Sequence, residues 1–203
     1  MVEKLSDIAD ITLGTILTRV NAGMHDDAIS TETISMQEVS FYAGKSSIEP
    51  EKLFSNIKKD KINSCIFTQQ GDVLLGLTSR SAMVIDSSRE NMLVASNFLK
   101  IRIHDTNLLN PMYLCWLINE NSFITNYFEK IKQGTAAVHV LTATEVRDIP
   151  IDIIPIDKQN KIANYYKLYL EKYKIDLKLA EMNYKANNLI INKYFSEVKE
   201  NEN

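Results

Sequence analysis

From Pro155 to about Val198 the chain runs some forty residues without a Gly or a Pro, and no feature restricts its fold more. The stretch opens Pro155-Ile156-Asp157, a chain-stiffening proline followed by a residue suited to capping a helix. Apolar side chains then recur at three- and four-residue steps: Ile162, Tyr166, Tyr169, Tyr173, Leu177, Ala180, Tyr184, Ile191, Phe195 and Val198. That spacing draws one stripe along a helix, so the tyrosines read as packing residues rather than base-stacking ones. At 1.5 Å per residue the helix is roughly 60 Å long, about twice the span of a small domain. A body of ~150 residues cannot cover such a stripe, so a second long helix is expected beside it.

The bulk properties are those of an ordinary globular chain. Its 203 residues suit one domain, or one domain with an extension. No run of ~18 apolar residues is present, so no membrane span is expected. Met1-Val2-Glu3-Lys4-Leu5 lacks the basic-then-apolar order of a signal peptide, which makes a cytoplasmic address the expectation. Cys65 and Cys115 sit in apolar settings and read as buried thiols rather than a disulfide or metal site. His25, His104 and His139 have no partner at ligand spacing, so no metal is expected, and His139 reads as a satisfied core histidine. Net charge is −3; residues 157–203 hold nine Lys against seven Asp or Glu, which leaves the preceding body at −5. An acidic body opposes indiscriminate nucleic-acid binding, which depends on neutralising phosphates. DNA reading would need local basic patches or a more basic partner.

Taken in order, Leu5, Ile8 and Ile11 before Gly14 suggest a short element and a turn. Arg19–Thr33 is polar and loop-like, and Ile34–Tyr42 alternates well enough to predict a strand ending at Gly44. Pro50–Lys61 is mixed; Ile62–Thr68 predicts another strand. Gly71-Asp72 turns the chain into Val73–Leu77, and Thr78-Ser79-Arg80-Ser81 links that run to Ala82–Ile85 as a hairpin. Phe98–Ile103 alternates as a half-buried strand. Asn110-Pro111 starts a helix, with Asn as cap and Pro at the first position, and the period continues to Gly134. Thr142-Ala143-Thr144-Glu145 is a capping box, and Ile149–Pro155 an edge strand or extended connector. The fold class is therefore α+β: a mixed β-sheet body over 1–154 and one long helix over 155–203.

The segment order is specific enough to carry a resemblance. Gly134-Thr135-Ala136-Ala137-Val138-His139-Val140-Leu141, then Glu145-Val146-Arg147-Asp148-Ile149-Pro150-Ile151, then Pro155-Ile156-Asp157-Lys158-Gln159-Asn160-Lys161-Ile162 resembles a type I restriction–modification specificity subunit. That family runs from a Gly-Ser/Thr loop through a short helix and an Ile-Pro-Ile strand to a Pro-Pro-Leu-x-x-Gln-x-x-Ile entry into a spacer helix. Lys4-Leu5-Ser6-Asp7-Ile8 before Gly14 is similar to its opening strand, Gly71-Asp72-Val73-Leu74-Leu75 to its Gly-Asp-(Val/Ile)-Leu strand, and Ser96-Asn97 precedes Phe98 as is common there. The second proline is Ile154 here, and the acid before the glutamine is Lys158. Full specificity subunits carry two recognition domains and two spacer helices; this chain carries one of each and resembles a half-subunit, complete from its starting Met to the end of the helix. The resemblance implies a homodimer whose helices pack as an antiparallel coiled coil and hold two identical readers over a bipartite, inverted-repeat site. It also implies double-stranded DNA, methyltransferase subunits and, through them, a restriction subunit as partners, with no cofactor and no catalysis in this chain. Ile162, Tyr166, Tyr169, Tyr173, Leu177, Ala180, Tyr184, Ile191 and Phe195 are the expected dimer seam.

For base reading, Thr78-Ser79-Arg80 is the first candidate, because the Arg fork matches guanine O6 and N7 while Thr and Ser suit phosphates or base edges. Its alternative is a solvated hairpin turn. Lys132, Gln133 and Thr135 form a second group at a helix end, with Gln suited to adenine; the alternative is a Gly C-cap with lysines facing the helix dipole. Arg19 and Lys45 are weaker candidates. Asn110-Pro111-Met112-Tyr113 is one residue from the Asn-Pro-Pro-Tyr of amino-methyltransferases, but no Gly-x-Gly cofactor signature precedes it, so it reads as a helix start. Glu49-Pro50-Glu51-Lys52 has no metal-binding partner acid and reads as chance. Two other functions stay open: a coiled-coil scaffold without DNA binding, and a methyltransferase fragment or nuclease.

Overall fold

The computed structural model describes residues 1–23, 28–132 and 139–201. Its elements run β1 (Val2–Lys4), α1 (Leu5–Ile8), β2 (Ala9–Leu13), α2 (Leu17–Val20), β3 (Ala28–Thr33), α3 (Met36–Tyr42), β4 (Leu53–Lys58), β5 (Val73–Gly76), β6 (Ala82–Val84), β7 (Phe98–Ile103), α4 (Pro111–Glu120), α5 (Ser122–Lys132), α6 (Ala143–Arg147), β8 (Pro150–Asp152) and α7 (Ile156–Asn201). Short 3-10 segments occupy Lys59–Ser64 and Ser87–Arg89. Antiparallel pairing orders the central sheet β2-β7-β5-β6, with β1-β8 and β3-β4 as separate two-stranded ribbons.

Alternation explains why the central sheet is covered on both faces. In β5 every residue is buried, Val73 and Leu75 toward one side and Leu74 toward the other. Val73, Leu75, Leu99 and Ile101 pack with Leu114, Leu117 and Ile118 of α4 and with Ile124 and Phe128 of α5. Leu74, Met83 and Phe98 pack on the opposite face with Val39 of α3. Asp72 is buried at the sheet's end; its Oδ1 accepts from Arg102 Nε at 2.9 Å and Nη2 at 2.8 Å, which satisfies a charge that burial alone would expel. Gly14 lies so close to the next segment that a Cβ there would sit 2.1 Å from the Ala95 carbonyl oxygen.

Several expectations give way. Ile34–Tyr42 is helix from Met36, not strand: Ser35 Oγ accepts the Glu38 N–H at 3.0 Å, and that Ser-x-x-Glu signal outranks an imperfect alternation. The loop expected over Arg19–Thr33 contains β3, whose partner β4 lies far along the chain. Ile62–Thr68 forms no extended strand; it leaves the 3-10 segment at Ser64 and bridges only at Phe67–Leu93. The single helix expected from Asn110 breaks at Asn121, which is extended at φ −76°, ψ 125°, and restarts at Ser122. Gly134 lies outside the described residues. Cys115 is buried, whereas Cys65 is only half-buried, its thiol donating to the Lys61 carbonyl; both are free. The hairpin, β7, the Asn110 cap, the capping box and the edge strand stand where expected.

The long helix spans 46 residues, about 69 Å. It starts one residue before Asp157, which lies in its first turn instead of capping it. Its base belongs to the body. Gln159 is fully buried: its Nε2 donates to the carbonyls of Leu108 and Ile154, each at 2.8 Å, and its Oε1 accepts the Asn110 N–H at 2.9 Å. Ala163, Tyr166 and Leu170 join the main core, and Tyr166 Oη accepts from the buried Asn119 amide at 3.0 Å. One turn on, Lys174 Nζ lies 4.0 Å from the Tyr42 ring centroid, with Arg89 on Tyr42 at 3.8 Å; burial, then Arg89, holds the Lys174 ammonium below its ordinary pKa. Of the expected dimer seam, Tyr166 is buried in the chain's own core and Ile162 is half-buried against it. Past Leu177 every described side chain is exposed, Ala180, Tyr184, Ile191 and Phe195 included. Ion pairs Glu181–Lys185 and Lys193–Glu197, four residues apart, support this free portion.

Candidate nucleic-acid interface

The β5–β6 turn folds back tightly because the Arg80 N–H donates to the Gly76 carbonyl at 2.9 Å and Arg80 takes φ +53°. Few side chains adopt that left-handed conformation. Thr78 is left exposed at the turn, while Ser79 and Arg80 are half-buried. The Arg80 side chain turns toward α5: Nη1 lies 3.1 Å from Glu129 Oε1, and the guanidinium carbon 5.9 Å from the Phe128 ring centroid. Its side chain keeps 18% of its surface, against 57% for Glu129. Lys45, after α3, reaches the same region and donates to Glu120 Oε1 at 2.7 Å and to the Asn119 carbonyl at 3.1 Å.

Lys45, Ser79 and Arg80 thus line one cavity of about 370 Å³, together with the hydroxyls of Ser40, Ser81 and Thr125. Two cations and several hydroxyls form a notch of the kind that receives a phosphate or a base edge. Each cation is held by a carboxylate on a helix. Glu129, on the open side of the pair, is largely exposed, so a phosphate or base can compete with it for Arg80. Arg19 is not part of this cavity: it is exposed at the end of α2, beside the β3–β4 ribbon, which that segment joins through the Asn21–Ile57 bridge. Gln133 and Thr135, and the side chain of Lys132, lie outside the described residues.

A second surface was missed by reading local pattern alone. The β3–β4 ribbon sets exposed Ser30 opposite exposed Asn56, and its end carries Lys58, Lys59 and Lys61, all exposed, against one acid, Asp60. A two-stranded ribbon is narrow enough to enter a major groove, and lysines at its end suit phosphates. The signal available was the run Lys58-Lys59-Asp60-Lys61; what made it a surface is a strand pairing no window contains.

The remaining candidates resolve into structure. His139 Nε2 lies 3.0 Å from Glu145 Oε1, while Glu145 Oε2 accepts from the Thr142 N–H and hydroxyl. Burial opposes the Glu145 charge, but those Thr142 bonds and His139 outweigh it and hold its pKa below the ordinary range. Asn110 Oδ1 accepts from the N–H groups of Met112 and Tyr113, and the Tyr113 hydroxyl donates to the Asp152 carbonyl; Asn110–Tyr113 is a helix start. Lys52 pairs with Glu32 on the ribbon. Among the described residues no group of three His, Cys, Asp or Glu could hold a metal ion, and no helix is long and apolar enough to cross a membrane.

No protein-family model matches the sequence, and no curated protein matches it. Solved structures do. The S subunit of a type I restriction–modification system from M. genitalium superposes with a TM-score of 0.58 over 97% of this chain, at 12% identity. The HsdS subunit from Thermoanaerobacter tengcongensis gives 0.53 over 89%, at 16% identity. A chain from a structure addressing complex assembly and conformational transition of the type I R-M system gives 0.55 over 92%, at 13% identity. This chain spans 46%, 39% and 43% of those chains, respectively. A body of antiparallel sheets with its polar turn and basic ribbon, standing on one long helix, has the fold of rather less than half of a type I restriction–modification specificity subunit.

Proposed function

We propose that the chain is the DNA sequence-specificity component of a type I restriction–modification system, acting in the cytoplasm as a non-catalytic half-subunit. Two copies pair through their long helices, read a bipartite inverted-repeat site, and recruit methyltransferase subunits and, through them, a restriction subunit. The observation that carries this reading is the shared fold over nearly the whole chain, the long helix included. Beyond its seated first turns α7 supports pairing, because it bears two apolar stripes roughly half a helical turn apart. Tyr169, Tyr173, Leu177, Ala180, Tyr184, Ile191 and Phe195 form one; exposed Leu168, Ile175, Leu179, Met182 and Leu189 form the other. The first suits the second copy and the second a methyltransferase subunit. On the body, the notch with Lys45, Ser79 and Arg80, and Thr78 exposed on the turn beside it, read bases, with Arg19 and the ribbon lysines positioning the duplex; Lys132, Gln133 and Thr135 stay in the proposed interface from the sequence alone. At ~3.4 Å per base pair, a helix of about 69 Å separates the readers by about two duplex turns.

The acidic body and the carboxylate partners of Arg80 and Lys45 favour a second reading, a scaffold that never touches DNA. Selection from random duplex DNA, with the chain alone and with a methyltransferase partner, separates the two. Enrichment of a gapped inverted repeat is expected; no enrichment under either condition excludes DNA recognition.

A further inference from the structure

The two cations of the notch differ from ordinary surface charges in what already holds them. Three contacts set the Arg80 guanidinium in place. The backbone is fixed in the turn at φ +53°, the guanidinium carbon lies 5.9 Å from the Phe128 ring centroid, and Nη1 lies 3.1 Å from Glu129 Oε1. Nε and Nη2 donate to no described residue. Those two N–H groups are parallel, and Arg102 uses the same edge to grip Asp72 elsewhere in this chain, at 2.9 and 2.8 Å. It is also an edge that matches guanine O6 and N7.

Lys45 repeats the arrangement. Its Nζ uses one donor on Glu120 Oε1 and one on the Asn119 carbonyl, and an ammonium has a third. Glu120 is the last residue of α4, where the helix dipole disfavours a negative charge, so helix stability does not account for an acid there. With Glu129 in the cavity wall and Glu120 beside it, two carboxylates match two cations on a body that is already acidic. A surface that grips any duplex by its phosphates is built the other way, with its cations unmatched.

We infer that Glu129 is a specificity-determining residue. It holds Arg80 by Nη1, leaves the Nε and Nη2 edge for the neutral acceptor pair of guanine, and turns phosphates away; Glu120 does the same for Lys45. The distinction is electrostatic. A guanine edge carries no net charge and accepts from Arg80 while Glu129 stays paired. A phosphate that takes Arg80 brings its own negative charge beside the carboxylate, so it must displace Glu129 or bind against its repulsion. The acid therefore weakens contact with every sequence and spares the matching one. This role rests on the DNA-recognition reading.

The test uses the full-length chain, the site enriched by selection and a scrambled duplex of equal length, with affinities measured over a salt series. The condition is the one in which selection succeeds, the chain alone or with a methyltransferase partner. Glu129→Gln removes the charge from an exposed side chain at nearly unchanged shape, and thermal unfolding checks that the fold is kept. The scrambled duplex should bind about three- to tenfold tighter, and its salt dependence should steepen by about one in slope as Arg80 engages a phosphate. The selected site should change by less, so the selectivity ratio falls. Glu129→Asp, which keeps the charge, should leave scrambled binding weak. In an Arg80→Ala background Glu129→Gln should not strengthen scrambled binding, which separates action through Arg80 from simple loss of a surface charge. A Glu129→Gln protein with the wild-type ratio and slope, equal weakening on both duplexes, or the same gain without Arg80 overturns the inference while DNA recognition stands. A wild type that prefers no sequence under either condition overturns the recognition reading and the inference with it.

Discussion

Replacing Gln159 by Met tests whether one amide fixes the long helix to the body. Met matches the side chain in length and volume, so packing at this fully buried site changes little. The substitution leaves the carbonyls of Leu108 and Ile154 and the N–H of Asn110 without their partner. Each buried, unsatisfied group costs about 1–3 kcal/mol. Water reaches them in part, since Leu108 is exposed and Asn110 and Ile154 are only half-buried, so the sum falls at the low end, about 3 kcal/mol. Against a total stability of about 5–15 kcal/mol that is a large loss. Urea unfolding followed by circular dichroism should show it as a midpoint lowered by on the order of 1–2 M with an unchanged slope. Asn160→Ala, which breaks one exposed bond to Asn110, should stay within about 0.5 kcal/mol of wild type. A Gln159→Met protein that loses less than about 1 kcal/mol refutes the reasoning.

Tyr173→Asp combined with Tyr184→Asp should dissociate the dimer by burying charge in its seam, read by sedimentation; a surviving dimer removes this stripe as the interface. Arg80→Ala should weaken specific DNA binding by ~1–3 kcal/mol and relax one position of the selected site; an unchanged preference at every position removes Arg80 from the readers. Gly14→Ala drives a methyl into the Ala95 carbonyl, backbone that cannot step aside, and should cost about 3 kcal/mol in thermal unfolding. Because the Glu145 carboxylate titrates below its ordinary 4.5, its contribution is complete above that pH and fades as pH falls through the lower folded value. Glu145→Gln should therefore reduce stability near neutrality and converge on wild type in acid, measured as unfolding midpoint against pH.

Much of this was legible in the residues because the signals are local. Asn110-Pro111, Thr142–Glu145 and the hairpin around Thr78–Arg80 each combine a cap or turn with a period, and each formed as written. Long-range pairing was not legible: β3 and β4 become a ribbon only by meeting each other, and the polar content of Arg19–Thr33 hid one of them. The stripe of α7 was visible, but a stripe does not say what covers it, so Ile162 and Tyr166 looked identical to Tyr173 and Tyr184 until the body was in place. Arg80 was placed correctly on a turn; that Glu129 would hold it depends on α5 restarting after Asn121, which no pattern in the helix announced.

The rigid seating of α7 on the body also limits how such a chain can evolve. Anchored by Gln159, Tyr166 and Leu170, the helix has no freedom to swivel at its root. One residue inserted beyond Leu177 lengthens it by only about 1.5 Å but turns everything distal by about 100°. Tyr184, Ile191 and Phe195 would then face the wrong way. Viable length changes come in quanta that restore the heading, about four, seven or eleven residues, which lengthen the helix by roughly 6, 10 or 16 Å at a time rather than by gradual drift.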